Sequence, residues 1–173
     1  MNAPSAKILV LVGDKFACVK ISGRATFASS IDLRTLINQL RERGYSYFVL
    51  DLSECLLMDS TFLGVLAGFG LKMSRARKSE CDSPIELLNP NARITELLEN
   101  LGVLHLFKLS AGPLPALNHT DTLTPAPARP SKEEITRACL EAHETLMAMN
   151  PENAAKFKEV AAFLAEDLRK LKS

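Results

Sequence analysis

At 173 residues and a formal net charge of +1, the chain has room for one domain of about 100 to 150 residues plus an appendage. Its charge balance supplies no field to steer nucleic acid, and an aromatic content of 6% leaves few platforms for stacked bases, so no nucleic-acid partner is expected. Cys18, Cys55, Cys81 and Cys139 form neither a C-x-x-C pair nor a cluster with histidine at metal spacing, which predicts reduced thiols, no metal and no cofactor.

At the N-terminus a proline and a lysine precede only five successive apolar residues, Ile8 to Val12, too few for a secretory leader. No stretch approaches the roughly 18 apolar residues of a membrane span. A cytoplasmic protein without direct membrane insertion is therefore expected. Lys7 to Val12 and Phe16 to Ile21 read as adjacent strands joined at the turn signal Gly13-Asp14. Ala28 to Arg43 places Ile31, Leu36, Ile37 and Leu40 on one side of a helix, with Ser29 or Ser30 as its cap and Gly44 as its stop.

A strand over Tyr47 to Leu52 runs through a short acidic loop into a helix over Thr61 to Arg75. Lys72, Arg75, Arg77 and Lys78 complement the C-terminal end of its macrodipole and require no ligand. Pro84 to Leu88 reads as a further strand. Asn91 to Leu101 reads as a helix with Ile94, Leu97, Leu98 and Leu101 at i, i+3, i+4 and i+7, stopped at Gly102. Val103 to Leu109 is expected to supply an edge strand. Strands alternating with helices make this an α/β domain with right-handed crossovers.

From Ala111 to Pro130 the texture changes: Pro113, Pro115, Pro125, Pro127 and Pro130 fall in a span without apolar periodicity, which predicts a semi-extended linker and a domain boundary. Ser131-Lys132-Glu133-Glu134 is a capping box opening a helix with Ile135, Ala138, Cys139, Ala142, Leu146 and Met149 on one stripe. Asn150-Pro151 starts a second helix, with Phe157, Val160, Ala161, Leu164, Leu168 and Leu171 along its seam. Helices this short draw their stability from packing. They must lie on each other, on the main domain or on another chain; a self-associating or partner-binding hairpin and docking back on their own domain are both open.

Chemistry concentrates at Asp59-Ser60-Thr61, where the buried strand gives way to the second helix. Ser, Thr and Asp are the preferred N-caps, so capping alone accounts for the triplet taken in isolation. Its surroundings add more. Met58, Asp59, Ser60, Leu63 and Gly64, preceded by an acidic strand end at Asp51, resemble the STAS domain signature Met-Asp-Ser-Ser-Gly-Leu-Gly of bacterial anti-sigma factor antagonists. The resemblance spans roughly residues 7 to 110 and implies a small mixed β-sheet covered by helices; with the composition shift and the helix starts read above, this divides the chain into a STAS domain over 1–110, a linker over 111–130 and a two-helix extension over 131–173. Thr61 stands for the second serine of the pattern, and Phe62 for its glycine, where an aromatic ring either fills a partner's pocket or blocks its approach.

That resemblance implies a partner-switching regulator. It would bind an anti-sigma factor with serine kinase activity while Ser60 is unmodified and release it once phosphorylated, a separate phosphatase resetting the switch. Ser60 and Thr61 are the candidate phosphoacceptors. The partner surface is expected at Arg24, Thr26, Phe27, Asp59, Phe62, Leu63 and Gly64, where Arg24 and Thr26 replace the family's acidic loop and point to a divergent partner. The alternative is a non-catalytic scaffold assembling a stressosome-like or lipid-transporter complex independently of phosphorylation. No enzymatic activity is expected: His105, His119 and His143 have no patterned nucleophile beside them, Ser60 lacks a G-x-S-x-G elbow, and there is no P-loop or G-x-G-x-x-G. His143 reads as a helix-surface residue and His119 as a solvated one.

Overall fold

The computed structural model describes residues 6–13, 16–76, 83–114, 121–123 and 129–172. Asp14, Arg77, Lys78, Cys81 and His119 lie outside them. In chain order the elements are β1 (Lys7–Val12), β2 (Ala17–Ala25), α1 (Phe27–Glu42), β3 (Phe48–Asp51), β4 (Cys55–Met58), α2 (Ser60–Ala76), β5 (Ile85–Leu88), α3 (Ala92–Asn100), a 3-10 turn at Leu104–Leu106, β6 (Lys108–Ser110), β7 (Asp121–Leu123), α4 (Lys132–Met149) and α5 (Pro151–Lys172).

The described strands form one mixed sheet in the order β6-β5-β3-β2-β1-β7, with β4 pairing β2 off this path. β1 and β2 are antiparallel, whereas β2, β3, β5 and β6 run parallel. All four residues of β3 are buried, as a central strand covered on both faces requires. Alternation along β2 divides the apolar residues: Ala17, Val19 and Ile21 join the main core, while Cys18 joins Val49 and Leu88 in a second cluster flanked by Leu11, Phe16 and Tyr47. Burial pushes the Cys18 and Cys55 thiols up to about 11. Both remain protonated at neutral pH.

The structure departs from the sequence reading in several places. The acidic loop after β3 contains a strand, β4, because β2 outruns β3 and its last residues need a partner; Ala25 pairs with Met58 after a bulge between Gly23 and Arg24. The expected Val103–Leu109 strand begins with the 3-10 turn. Val103, Leu106 and Phe107 are the buried residues there, a spacing of three to four that suits a helical turn and not a strand. The Pro-rich span contributes β7, antiparallel to the edge strand β1, which covers backbone groups that would otherwise be left open. The first helix is capped at Thr26, not at Ser29 or Ser30, whose buried hydroxyls donate to the carbonyls of Thr26 and Phe27.

Of the two destinations open to the C-terminal helices, the structure realises docking on their own chain. α4 opens with the expected capping box, Glu134 N–H donating to Ser131 Oγ over 3.1 Å and Ser131 N–H to Glu134 Oε2 over 2.7 Å. It packs on α2 and touches α1, where Arg34 and Glu141 form an exposed 3.0 Å ion pair. The hairpin's turn is seated on the end of α3. Asn153, wholly buried, donates to the carbonyls of Leu101 and Leu146 at 2.8 Å each, and Lys156 donates to Asn100 O at 2.8 Å. Gly102 has φ +69°, and a Cβ there would sit 2.5 Å from Asn150 Nδ2. Close approach and left-handed backbone both call for glycine.

Replacing Asn153 by alanine removes both donated bonds, taking this donor from Leu101 O and leaving Leu146 O only the Asn150 N–H at 3.3 Å. Asn153→Ala should lower unfolding stability by about 2–3 kcal/mol in urea titration, and a loss under about 1 kcal/mol would contradict this seat for the hairpin.

Candidate functional site

Two strand-to-helix transitions lie side by side. Ala25 and Met58 are paired at the ends of β2 and β4, and Asp59 N–H donates to Ala25 O over 2.9 Å, so the N-termini of α1 and α2 emerge next to each other. The Asp59 carboxylate serves both. Its Oδ1 accepts from Phe62 N–H and its Oδ2 from Phe27 N–H, each at 2.8 Å. One side chain thus caps its own helix and, from across, the helix that begins 32 residues earlier.

The capping reading therefore belongs to Asp59, and Ser60 stands at the first helical position with its hydroxyl unused by the helix. That hydroxyl meets His143 Nε2 of α4 at 2.9 Å, while His143 Nδ1 lies 2.7 Å from Cys139 O. A carbonyl only accepts, so Nδ1 carries the proton, and in the neutral ring Nε2 accepts from Ser60. The ring packs edge-on against Phe157 with centroids 5.0 Å apart. His143 is 5% exposed, not the surface residue expected. Its signal was available in helical spacing, since position 143 lies four residues after Cys139 and three before Leu146 on the apolar stripe.

Other expected site residues divide by burial. Ser60 is half-buried, whereas Thr61 is buried and its side chain is hydrogen-bonded to the Cys139 thiol. That thiol is pushed up, first by burial and then by the Asp59 charge, against the Thr61 bond. Phe62 and Leu63 are wholly inside the core, so in this arrangement neither presents a side chain to a partner, because the helix phase that puts Ser60 outside turns them inward. Gly64 is covered by α4: a Cβ there would lie 2.5 Å from Ala142 O and 2.7 Å from Ala142 Cβ. Arg24 and Phe27 are exposed, Phe27 at 48%, and Thr26 is half-buried beside them.

A serine hydrogen-bonded to a histidine is also the start of a nucleophilic pair. Here the ring's second nitrogen is held by a carbonyl, and both Asp59 oxygens accept backbone N–H groups, so neither observed bond supplies the carboxylate of a triad. A cleft of about 190 Å³ lies between α1, α2 and α4, lined by Arg34, Gly68, Lys72 and Glu141 among others, and another of about 320 Å³ lies beside the end of β4, lined by Leu57, Met58, Ile94 and Leu97 among others. Among the described residues no group of three or more His, Cys, Asp or Glu could hold a metal ion, and no helix is long and apolar enough to cross a membrane.

Residues 7–113 match the STAS domain family. The chain belongs to that family. A solved anti-sigma factor antagonist from Mycobacterium paratuberculosis aligns at 21% identity and a TM-score of 0.51, covering 64% of this chain and 90% of that one. A putative anti-sigma factor antagonist from Thermotoga maritima aligns at 17% identity with a TM-score of 0.51, covering 58% of this chain and 83% of that one. At these identities the likeness establishes the STAS fold. No curated protein matches the chain. The family match ends before α4 begins, so the helix that reaches Ser60 is an addition to the STAS unit.

Asp59 offers a graded test of the shared cap. Asp59→Asn keeps one acceptor oxygen for two N–H groups and should cost about 1–2 kcal/mol, whereas Asp59→Ala removes both caps and should cost about 2–3 kcal/mol. A near-neutral Asp59→Asn beside a destabilised Asp59→Ala, measured by urea denaturation, would show that only one of the two bonds contributes.

Proposed function

We propose that this STAS protein is an anti-sigma factor antagonist of the partner-switching kind, with Ser60 as its phosphoacceptor. On this reading it binds an anti-sigma factor with serine kinase activity while Ser60 is unmodified and releases it after phosphorylation, and a phosphatase restores the hydroxyl. The observation that carries it is the division of labour at the triplet. Asp59 caps the helix, so the Ser60 hydroxyl is not needed for folding. Thr61 is buried and gives way to Ser60 as acceptor.

The electrostatics suit a reversible charge. Phosphorylation adds about −1.5 to −2 charges at a helix N-terminus, where the dipole and open N–H groups favour an anion within the protein itself. The same charge repels a partner that presents carboxylates there. A hundredfold loss of affinity requires about 2.7 kcal/mol of differential interaction, within reach of a phosphate facing one or two acidic groups in a contact that excludes water. Arg24, Thr26 and Phe27 form the accessible side of the partner surface, with Asp59 positioned between the two helix starts. Residues 1–110 constitute the STAS unit, 111–130 the connection and 131–173 the extension, with β7 returning from the connection to the sheet; the protein works in the cytoplasm with its partner.

The full chain, with serine, alanine or phosphoserine at position 60, should be used to capture partners from the native cell. An ATP-binding serine kinase should be retained by the serine and alanine forms, label Ser60 of the wild-type chain, and lose at least tenfold in affinity for the phosphoserine form. Equal capture by all three forms would refute the switch and support an assembly scaffold.

A further inference from the structure

The tail helix is docked through the candidate phosphoacceptor itself. Ser60 Oγ and His143 Nε2 are separated by 2.9 Å, and the ring is braced behind by Cys139 O at 2.7 Å and by Phe157. Along α2, Gly64 and Ala142 already touch so closely that a single added carbon would overlap the α4 backbone. Phosphoryl transfer from a nucleoside triphosphate forms an Oγ–P bond and breaks the β,γ P–O bond; the nucleoside diphosphate leaves and the hydroxyl proton passes to a base. With the serine in its observed rotamer, phosphorus and three oxygens then stand where the structure has only a hydrogen bond. The ring is backed by Cys139 O of its own helix and by Phe157, and α4 is in van der Waals contact with α2.

We propose that the α4–α5 hairpin is an intramolecular occupant of the Ser60 face, docked only on the free hydroxyl, so that docking and phosphorylation of Ser60 exclude each other. This rests on Ser60 being the phosphoacceptor. The kinase then acts on the open fraction of molecules, and a chain closed for 99% of the time is modified at roughly one hundredth of the rate of an open one. Any partner that reads Gly64 and the adjoining face of α2 competes with Ala138, Ala142 and His143 of the same chain. Phosphate traps the open form, since the modified serine no longer donates to His143 and no longer fits beneath it.

Cys139 reports on this directly, because it is half-buried on α4 against Thr61, while Cys18 and Cys55 are buried in the domain. In the full chain carrying Cys81→Ser, phosphoserine is installed at position 60 by codon reassignment, without any kinase, and the reaction of Cys139 with an aromatic disulfide reagent is timed. It should run at least tenfold faster than in the unmodified chain and approach the rate of Ala142→Glu, whose carboxylate cannot be buried against Gly64. Should Ala142→Glu not fold, His143→Ala supplies the open reference, and hydrogen exchange of the α4 amides supplies a second readout. A folded phosphoserine chain with Cys139 and α4 as protected as in the unmodified chain overturns the proposal. That result would leave the antagonist reading standing, whereas failure of that reading would show in partner capture and not in the Cys139 rates, which are read without any kinase.

Discussion

The Asp59 carboxylate is the constraint on which the site depends. Two helices begin where two paired strands end, and each brings unsatisfied N–H groups and the positive end of its dipole to the same place. A single carboxylate with one oxygen for each helix satisfies both. A serine or threonine there offers one oxygen and no charge, so it could close one helix and not hold the second against it. The consequence for chemistry is indirect. With capping assigned to Asp59, the next residue is released from structural duty at a position where an added anion is tolerated.

The released hydroxyl is not left to solvent. α4 lies across α2 where Gly64 meets Ala142, and this close approach brings His143 within hydrogen-bond distance of Ser60. The hairpin is held at two separated places, by that crossing and by Asn153 and Lys156 on the end of α3. Losing the first contact while keeping the second converts a lid into a tethered arm, whose return is an intramolecular event at high effective concentration. The Arg34–Glu141 pair at the α1 side is exposed and adds little to that balance.

Much of this was legible in the residues. The helix stripes of α3 and α4, the part of the α1 stripe at Leu36, Ile37 and Leu40, the capping box at Ser131 and the start at Asn150-Pro151 each follow from local spacing or end chemistry, and local rules do not depend on distant partners. What escaped was set by distant partners. β4 is four residues that become a strand because β2 extends past β3. β7 hides in a proline-rich span and exists through its pairing with β1. His143 looked like a surface residue because nothing in its neighbourhood announces a hydroxyl 83 positions earlier, though its place beside the Cys139–Leu146 stripe marks the face that becomes buried.

Phe62 shows how position within the helix decides what a departure from a motif means. Two residues after Ser60 in sequence, it seemed placed either to fill a partner's pocket or to obstruct one. In the helix, successive residues are about 100° apart. Phe62, two residues after the outward Ser60, therefore lies about 200° around the helix and turns into the core, where it is fully buried and only its N–H remains at the site, bound to Asp59. The substitution thus alters packing under the site and leaves its outer face unchanged. Gly64, which keeps the family residue, is by contrast the position whose lack of a side chain admits the α4 backbone. What distinguishes this face from the bare STAS unit is carried less by the altered residue than by a conserved-type glycine put to use by an added helix.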